Sequence, residues 1–141
     1  MTLNASVGLH FNGECEAAFK FYERLLGLTL EFVLPWSASP LASQAPAGWS
    51  GILFARLKGP SMTLLGADAL PGTYERPTGF TLTLNAADQA ETERFFNELA
   101  QGGRVGMPLQ ETFFALRYGV VVDRFGIPWE IRCRKPHAAD D

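Results

Sequence analysis

The sequence lacks the features of a nucleic-acid-binding or membrane protein. Its 12 Lys and Arg residues are outnumbered by 15 Asp and Glu, for a formal net charge of −3, so we expect no surface for nucleic acid or anionic lipid. No apolar run approaches the roughly 20 residues of a transmembrane helix. The first residues, MTLNAS, also lack the basic start and apolar core of a signal peptide. We therefore expect a soluble protein with neither type of partner.

Cysteine is also scarce, with only Cys15 and Cys133 in the chain. Neither belongs to a CxxC or CxxH arrangement, so thiolate metal binding is not expected. Two cysteines that need not pair fit a reducing compartment, which predicts a cytoplasmic location.

What the chain does contain is typical of a globular domain. Its 141 residues are 47% hydrophobic and 19% charged, which is the usual range for such proteins. A chain of this size buries roughly two-thirds of the surface that its unfolded form exposes. The length suffices for one domain, or for two small and similar halves.

The first half predicts a strand, a helix and three further strands. Residues 5–11 alternate apolar and polar side chains, as in a half-buried strand. Residues 14–26 place their apolar side chains on one helical face, and Gly27 suits the end of that helix. The three further strands are expected at 28–35, 51–58 and 61–67. Residues 36–50 are expected to form a loop that is long for a hairpin connection, which is typical of lids and interfaces or of disorder. Residues 68–77 read as a linker.

The second half repeats this order. We expect a strand at 78–84, a helix at 87–101, and strands at about 104–110, 114–122 and 128–134. Each predicted helix follows an apolar strand and an Asn, and carries an aromatic pair: Phe21-Tyr22 in the first half and Phe95-Phe96 in the second. Self-similarity at about half the chain length indicates two related modules that bury their apolar faces together.

Four segments carry a resemblance to a known family: LHFNGECEAAFKFYERLLG (9–27), GFTLTLN (79–85), QETFFALRYG (110–119) and DRFGIPWEI (123–131). Together they resemble the vicinal-oxygen-chelate superfamily of glyoxalases, extradiol dioxygenases and bleomycin- and fosfomycin-resistance proteins, and within it the PhnB-like branch. The resemblance implies an α+β fold, in which two paired βαβββ modules form one curved mixed sheet with a concave cleft and helices on the outer face. It also implies a single domain over 1–141, with modules at about 3–70 and 77–135, and a homodimer.

The resemblance also implies a possible metal centre, which this sequence only partly matches. Metal-using members hold a divalent ion with four side chains, and here only Glu130 aligns with such a ligand. The two strand-start positions fall near Ser6 and Gly79, and the end of the fourth strand (63–67) has no carboxylate or imidazole, with Asp68 just beyond it. One ligand does not hold a metal well. We therefore expect no cofactor, with Glu130 as the ligand if a divalent metal does bind.

Glu130 and His10 are the candidate catalytic residues. Glu130 lies on the strand face opposite Trp129 and Ile131, so it either lines a site as a general base or is solvated. His10 lies opposite Leu9 and its apolar neighbours, and is either a cleft histidine or a structural one.

Four further residues are candidates for ligand binding. Thr81 and Thr83 face away from the apolar side of their strand, although ordinary β propensity explains them too. Arg117 offers a bidentate contact to an anion, or is an exposed strand arginine. Trp36 stands in the long loop, where an exposed aromatic side chain favours an interaction site.

These observations leave three functions open. The first is the binding of a small polar or aromatic molecule without a full metal site. The second is a metal-dependent lyase, isomerase or dioxygenase of the same superfamily. The third is a ligand-free dimerisation or regulatory module. Fold alone does not decide between them.

Overall fold

The computed structural model describes residues 2–136. The chain divides into two compact units, Met1–Glu75 and Arg76–Asp141, and each is described by itself. No helix in the described part of the chain is long and apolar enough to cross a membrane.

The first unit has the order strand, helix, three strands. Its elements are β1 (Val7–Phe11), α1 (Cys15–Leu26), β2 (Thr29–Pro35), β3 (Ile52–Lys58) and β4 (Thr63–Asp68). The sheet order is β1-β4-β3-β2, with β1 parallel to β4 and the other pairs antiparallel. The loop predicted at 36–50 contains two short 3-10 turns, Trp36–Ala38 and Ala42–Gln44.

The second unit repeats this architecture. Its elements are β5 (Leu82–Asn85), α2 (Gln89–Ala100), β6 (Arg104–Gln110), β7 (Ala115–Val122) and β8 (Pro128–Arg134). The sheet order is β5-β8-β7-β6, with β5 parallel to β8 and the other pairs antiparallel. The predicted α+β class and the βαβββ order of both halves are confirmed.

Each helix packs closely on its sheet over a glycine. A Cβ on Gly66 in β4 would lie 2.6 Å from the Phe19 ring of α1, and a Cβ on Gly119 in β7 would lie 2.6 Å from the Phe96 ring of α2. Both distances are shorter than any ordinary contact, so each glycine lets an aromatic ring of the helix reach the sheet.

The two helices begin in different ways. Asp88 caps α2 locally, because its side chain accepts a hydrogen bond from the Glu91 N–H at 2.8 Å. At α1, Glu14 makes no such bond, and the Cys15 N–H instead donates to Oδ1 of Asp68 at 3.0 Å. The other oxygen of Asp68 accepts from the Ile52 N–H at 2.8 Å. Placing Asp68 in the 68–77 linker was therefore wrong, since it is the last residue of β4 and only 5% exposed.

Both cysteines are free and buried. Burial, followed by the charges of Asp68 and Glu16, raises the pKa of the Cys15 thiol to about 12. The thiol therefore stays protonated at neutral pH and behaves as a core side chain.

The strand predicted at 78–84 is displaced and shorter. Strand β5 begins at Leu82 and ends at Asn85, and Gly79 before it has φ +84°. A positive φ is incompatible with extended strand geometry, so Phe80 and Thr81 lie in the segment that leads into the strand.

Candidate functional site

The turn before β8 determines which way its side chains face. The stretch from Asp123 to Gly126 forms a tight turn, in which the Gly126 N–H donates to the Asp123 carbonyl at 3.0 Å. The Asp123 carboxylate is 3% exposed. Its Oδ1 accepts from the N–H groups of Phe125 and Ile127 at 2.9 and 3.0 Å, and its Oδ2 accepts from Nε1 of Trp129 at 2.9 Å. One carboxylate thus ties the turn to the first part of the strand.

Glu130 lies on the face of this sheet opposite α2. Its neighbours Trp129 and Ile131 are completely buried, whereas Glu130 is half-buried. Since successive side chains of a strand point to opposite faces, burying Trp129 places the Glu130 carboxylate on the other side. This is the orientation that the sequence predicts.

Two hydroxyl groups meet the Glu130 carboxylate from the segments on either side. Thr81 Oγ1 donates to Oε2 of Glu130 at 3.0 Å, and the Tyr118 hydroxyl interacts with the same carboxylate from β7. Burial is the largest cause of a raised Tyr118 pKa, followed by the negative charge of Glu130 and the interaction of the hydroxyl with that carboxylate, while Arg132 acts in the opposite direction. The tyrosine is therefore held neutral.

Arg132 and Asn85 extend the same surface. Arg132 Nε donates to the Asn85 side-chain oxygen at 2.9 Å, and Arg132 lies in register with Tyr118 on the neighbouring strand. Thr83 lies in register with Glu130 and is exposed. We call this surface the Glu130 face; its members are Thr81, Thr83, Asn85, Tyr118, Glu130 and Arg132.

Aromatic rings adjoin the Glu130 face through Tyr118. The Phe114 ring packs edge-on against Tyr118, and the Phe113 ring packs edge-on against Phe114, with centroids 5.1 Å apart in both pairs. Phe113 is 91% exposed. Thr112 shapes this segment, since its hydroxyl accepts from the Phe114 and Ala115 N–H groups at 3.3 and 3.0 Å.

The structure brings Thr81, Thr83 and Glu130 together, but it does not bring Arg117 to them. Arg117 lies in register with the buried Cys133, on the side of α2. Its Nη2 atom is 3.1 Å from Oε1 of Glu93 on that helix. Arg117 therefore links β7 to α2 through an ion pair.

His10 and Trp36 belong to the first unit. His10 is exposed and lies in register with Ala67, on the sheet face opposite the buried Leu9. Trp36 is half-buried at the start of the first 3-10 turn, with its ring centroid 6.2 Å from that of Trp49.

The donor set does not fit the four-ligand metal centre of the family. Over residues 2–136, no group of three or more His, Cys, Asp or Glu is placed to hold a metal ion. Both oxygens of Asp68 already accept backbone N–H groups, and position 79 has no side chain to offer.

The contact between Tyr118 and Glu130 predicts a measurable shift in tyrosine titration. Because the folded pKa lies above the unfolded value, near 10.0, the neutral hydroxyl stabilises the fold below about pH 10. That contribution is lost as the pH rises through the folded pKa. The difference between the ultraviolet titration curves of the wild type and of Tyr118→Phe isolates the Tyr118 hydroxyl. Glu130→Gln should lower the Tyr118 pKa, because it removes the neighbouring negative charge.

Glu93→Gln is the matched control for this titration, since Glu93 lies on α2 and pairs with Arg117. We expect it to leave the Tyr118 pKa unchanged. Equal Tyr118 titration in the wild type and in Glu130→Gln would show that the two side chains do not interact.

Comparison with known proteins finds similarity over most of the chain. The sequence model of the Glyoxalase/Bleomycin resistance protein/Dioxygenase superfamily matches residues 9–131. Protein YjdN of Escherichia coli (strain K12) is 35% identical over 136 residues, which cover 90% of this chain and 92% of YjdN.

Two solved structures are also similar to this chain. Protein PA1353 from Pseudomonas aeruginosa has a TM-score of 0.87 at 42% identity, covering 96% of this chain and all of that one. A putative 3-demethylubiquinone-9 3-methyltransferase, the PhnB protein from Bacillus cereus, has a TM-score of 0.79 at 20% identity, covering 93% and 99% of the two chains; it shares the fold. The chain therefore belongs to the glyoxalase/bleomycin resistance protein/dioxygenase superfamily.

Proposed function

We propose that the chain binds a small polar or aromatic molecule on the Glu130 face, without a full metal site. The observation that carries this proposal is the half-buried Glu130 carboxylate, which accepts a hydrogen bond from Thr81 and has the neutral Tyr118 hydroxyl on its other side. A carboxylate has about four acceptor positions, and two hydroxyls leave some of them available to a ligand. The ligand therefore carries a hydroxyl or amino donor.

The neighbouring rings support a planar body for this ligand. Tyr118 lies beside the carboxylate, and the Phe114 ring, 39% exposed, packs on Tyr118. Aromatic rings favour edge-on or offset contacts with another ring. A phenol, a catechol or an aromatic amine combines such a ring with a donor.

The hydrogen-bonding groups around Glu130 support ligand binding without a metal ion. Glu130 accepts from the Thr81 hydroxyl, and a divalent ion on the same oxygen would have to compete with it. We therefore expect purified protein, offered nickel, zinc, manganese, iron and cobalt, to contain no stoichiometric metal by elemental analysis. One metal ion per chain would contradict this form of the proposal.

Three other expectations from the sequence stay predictions. They are the homodimer, the cytoplasmic location, and catalytic roles for Glu130 and His10. Glu130 has the surroundings of a general base, a half-buried carboxylate with a hydrogen-bond donor and a neutral tyrosine beside it. A turnover assay on any ligand found would address that role.

The proposal is tested by ligand-observed NMR with a set of phenol, catechol and aniline fragments. The wild type is compared with Glu130→Gln, which keeps the side-chain size but removes the charge. We expect at least one fragment to bind the wild type and to lose at least tenfold in affinity, about 1.4 kcal/mol, in the variant.

Glu93→Gln is again the control, because it changes the same residue type on the helix side of the same unit. It should bind as the wild type does, and both variants should melt within a few degrees of it. If no fragment distinguishes Glu130→Gln from Glu93→Gln, the Glu130 face is not the binding site.

A further inference from the structure

We propose that a second site in the same unit, at one end of its sheet, binds a small organic anion with an apolar body. An open depression of about 380 Å³ lies between the segment 76–80 and the adjoining ends of three strands. Those ends are Arg104 at the start of β6, Val122 at the end of β7 and Pro128 at the start of β8, which lie side by side in register. The volume falls in the range of small-molecule sites.

The charges that line this depression have one sign. Arg76 and Arg104 both contribute to it, and none of its eight lining residues is acidic. Within residues 2–136, the structure gives neither guanidinium an ion pair or hydrogen bond. Two unpaired arginines on one concavity, in a protein of net charge −3, are suited to hold a carboxylate or phosphate through bidentate hydrogen bonds.

The other residues that line the depression indicate the chemistry of the rest of the ligand. Phe80 is 42% exposed, and with Pro77 and Pro128 it gives the depression an apolar wall. Thr78 adds a hydroxyl to the lining. A Cβ placed on Gly79 would meet no heavy atom within 4 Å, so there is open space beside this glycine.

This site does not depend on the Glu130 proposal. Glu130 is absent from its lining, and the two sites favour opposite ligand chemistry, since one presents a carboxylate and the other two guanidinium groups. Each site can therefore fail its test without affecting the other.

The test is an NMR titration of the full chain with benzoate and with phenyl phosphate, using benzyl alcohol as the uncharged analogue. We expect both anions to bind, with shifts at the Arg76 and Arg104 side chains, and the alcohol not to bind there. Arg76→Gln and Arg104→Gln should each weaken binding by about tenfold. Both side chains are exposed, so the variants should fold normally.

Arg94→Gln is the matched control, because Arg94 lies on α2 and packs over Phe95. It should bind both anions as the wild type does. Added sodium chloride should weaken binding. The proposal is overturned if neither anion binds at concentrations on the order of 10 mM, or if both arginine variants bind as tightly as Arg94→Gln. Binding of only one of the two anions would tell a carboxylate site from a phosphate site.

Discussion

Asp123→Ala is expected to destabilise the second unit by about 3–5 kcal/mol. The substitution leaves three donors without their acceptor: the N–H groups of Phe125 and Ile127 and the indole N–H of Trp129. The Asp123 side chain is 3% exposed, so water does not readily replace it. Urea unfolding followed by tryptophan fluorescence measures the loss.

Two companion variants make this measurement specific. Asp123→Asn retains one oxygen for the backbone N–H groups but directs an amide donor at the Trp129 N–H, so we expect a smaller loss than for alanine. Asp88→Ala removes one exposed capping bond at α2 and should cost about 1 kcal/mol. If Asp123→Ala costs no more than Asp88→Ala, the carboxylate does not organise the turn.

Asp68→Ala is expected to destabilise the first unit by about 2–4 kcal/mol. Its carboxylate accepts the first N–H of α1, from Cys15, and the first N–H of β3, from Ile52. It also places a negative charge at the N-terminal end of a helix, which favours that helix. No local side chain takes over, since Glu14 makes no capping bond.

Amide hydrogen exchange gives this prediction a local readout. In the wild type the Cys15 and Ile52 amides should exchange slowly, and in Asp68→Ala both should lose protection ahead of the other amides of their elements. Asp68→Asn keeps only one oxygen acceptor and should protect one amide better than the other. Unchanged exchange at both amides would show that the Asp68 carboxylate does not hold the start of α1 and of β3.

The architecture of each unit was predictable because its strands and helices carry clear periods. Trp129, Ile131 and Cys133 alternate with charged residues, and this alternation correctly placed Glu130 opposite the buried face. The helix over Cys15–Leu26 and its glycine stop at Gly27, with φ 68°, followed from the same kind of pattern.

The composition of the Glu130 face was harder to predict, because it depends on strand register. From Arg117 to Val122, β7 pairs with β8 in a regular register, so simple alternation places Arg117 with Gly119 and Val121 on the α2 side and Tyr118 on the Glu130 side. In the sequence, both alternating sets of this strand are largely apolar, so the pattern does not indicate which set faces the helix. For that reason Arg117, and not Tyr118, was the candidate from the sequence.

Asp68 and Asp123 show a second limit of sequence patterns. Each carboxylate is buried and accepts N–H groups that are several to many residues away in the chain. The DRFG stretch predicts a turn, but not that its carboxylate reaches the Trp129 indole. Asp68 resembled a linker residue because its partners at positions 15 and 52 are distant in sequence.

The most direct test of the Glu130 site is the map of amide chemical-shift changes on adding the best-binding fragment to isotope-labelled protein. The account predicts that the largest changes fall at Thr81, Thr83, Tyr118 and Glu130, and that they disappear in Glu130→Gln. Changes confined to α2 or to the loop at 36–50, with Glu130 unaffected, would contradict it.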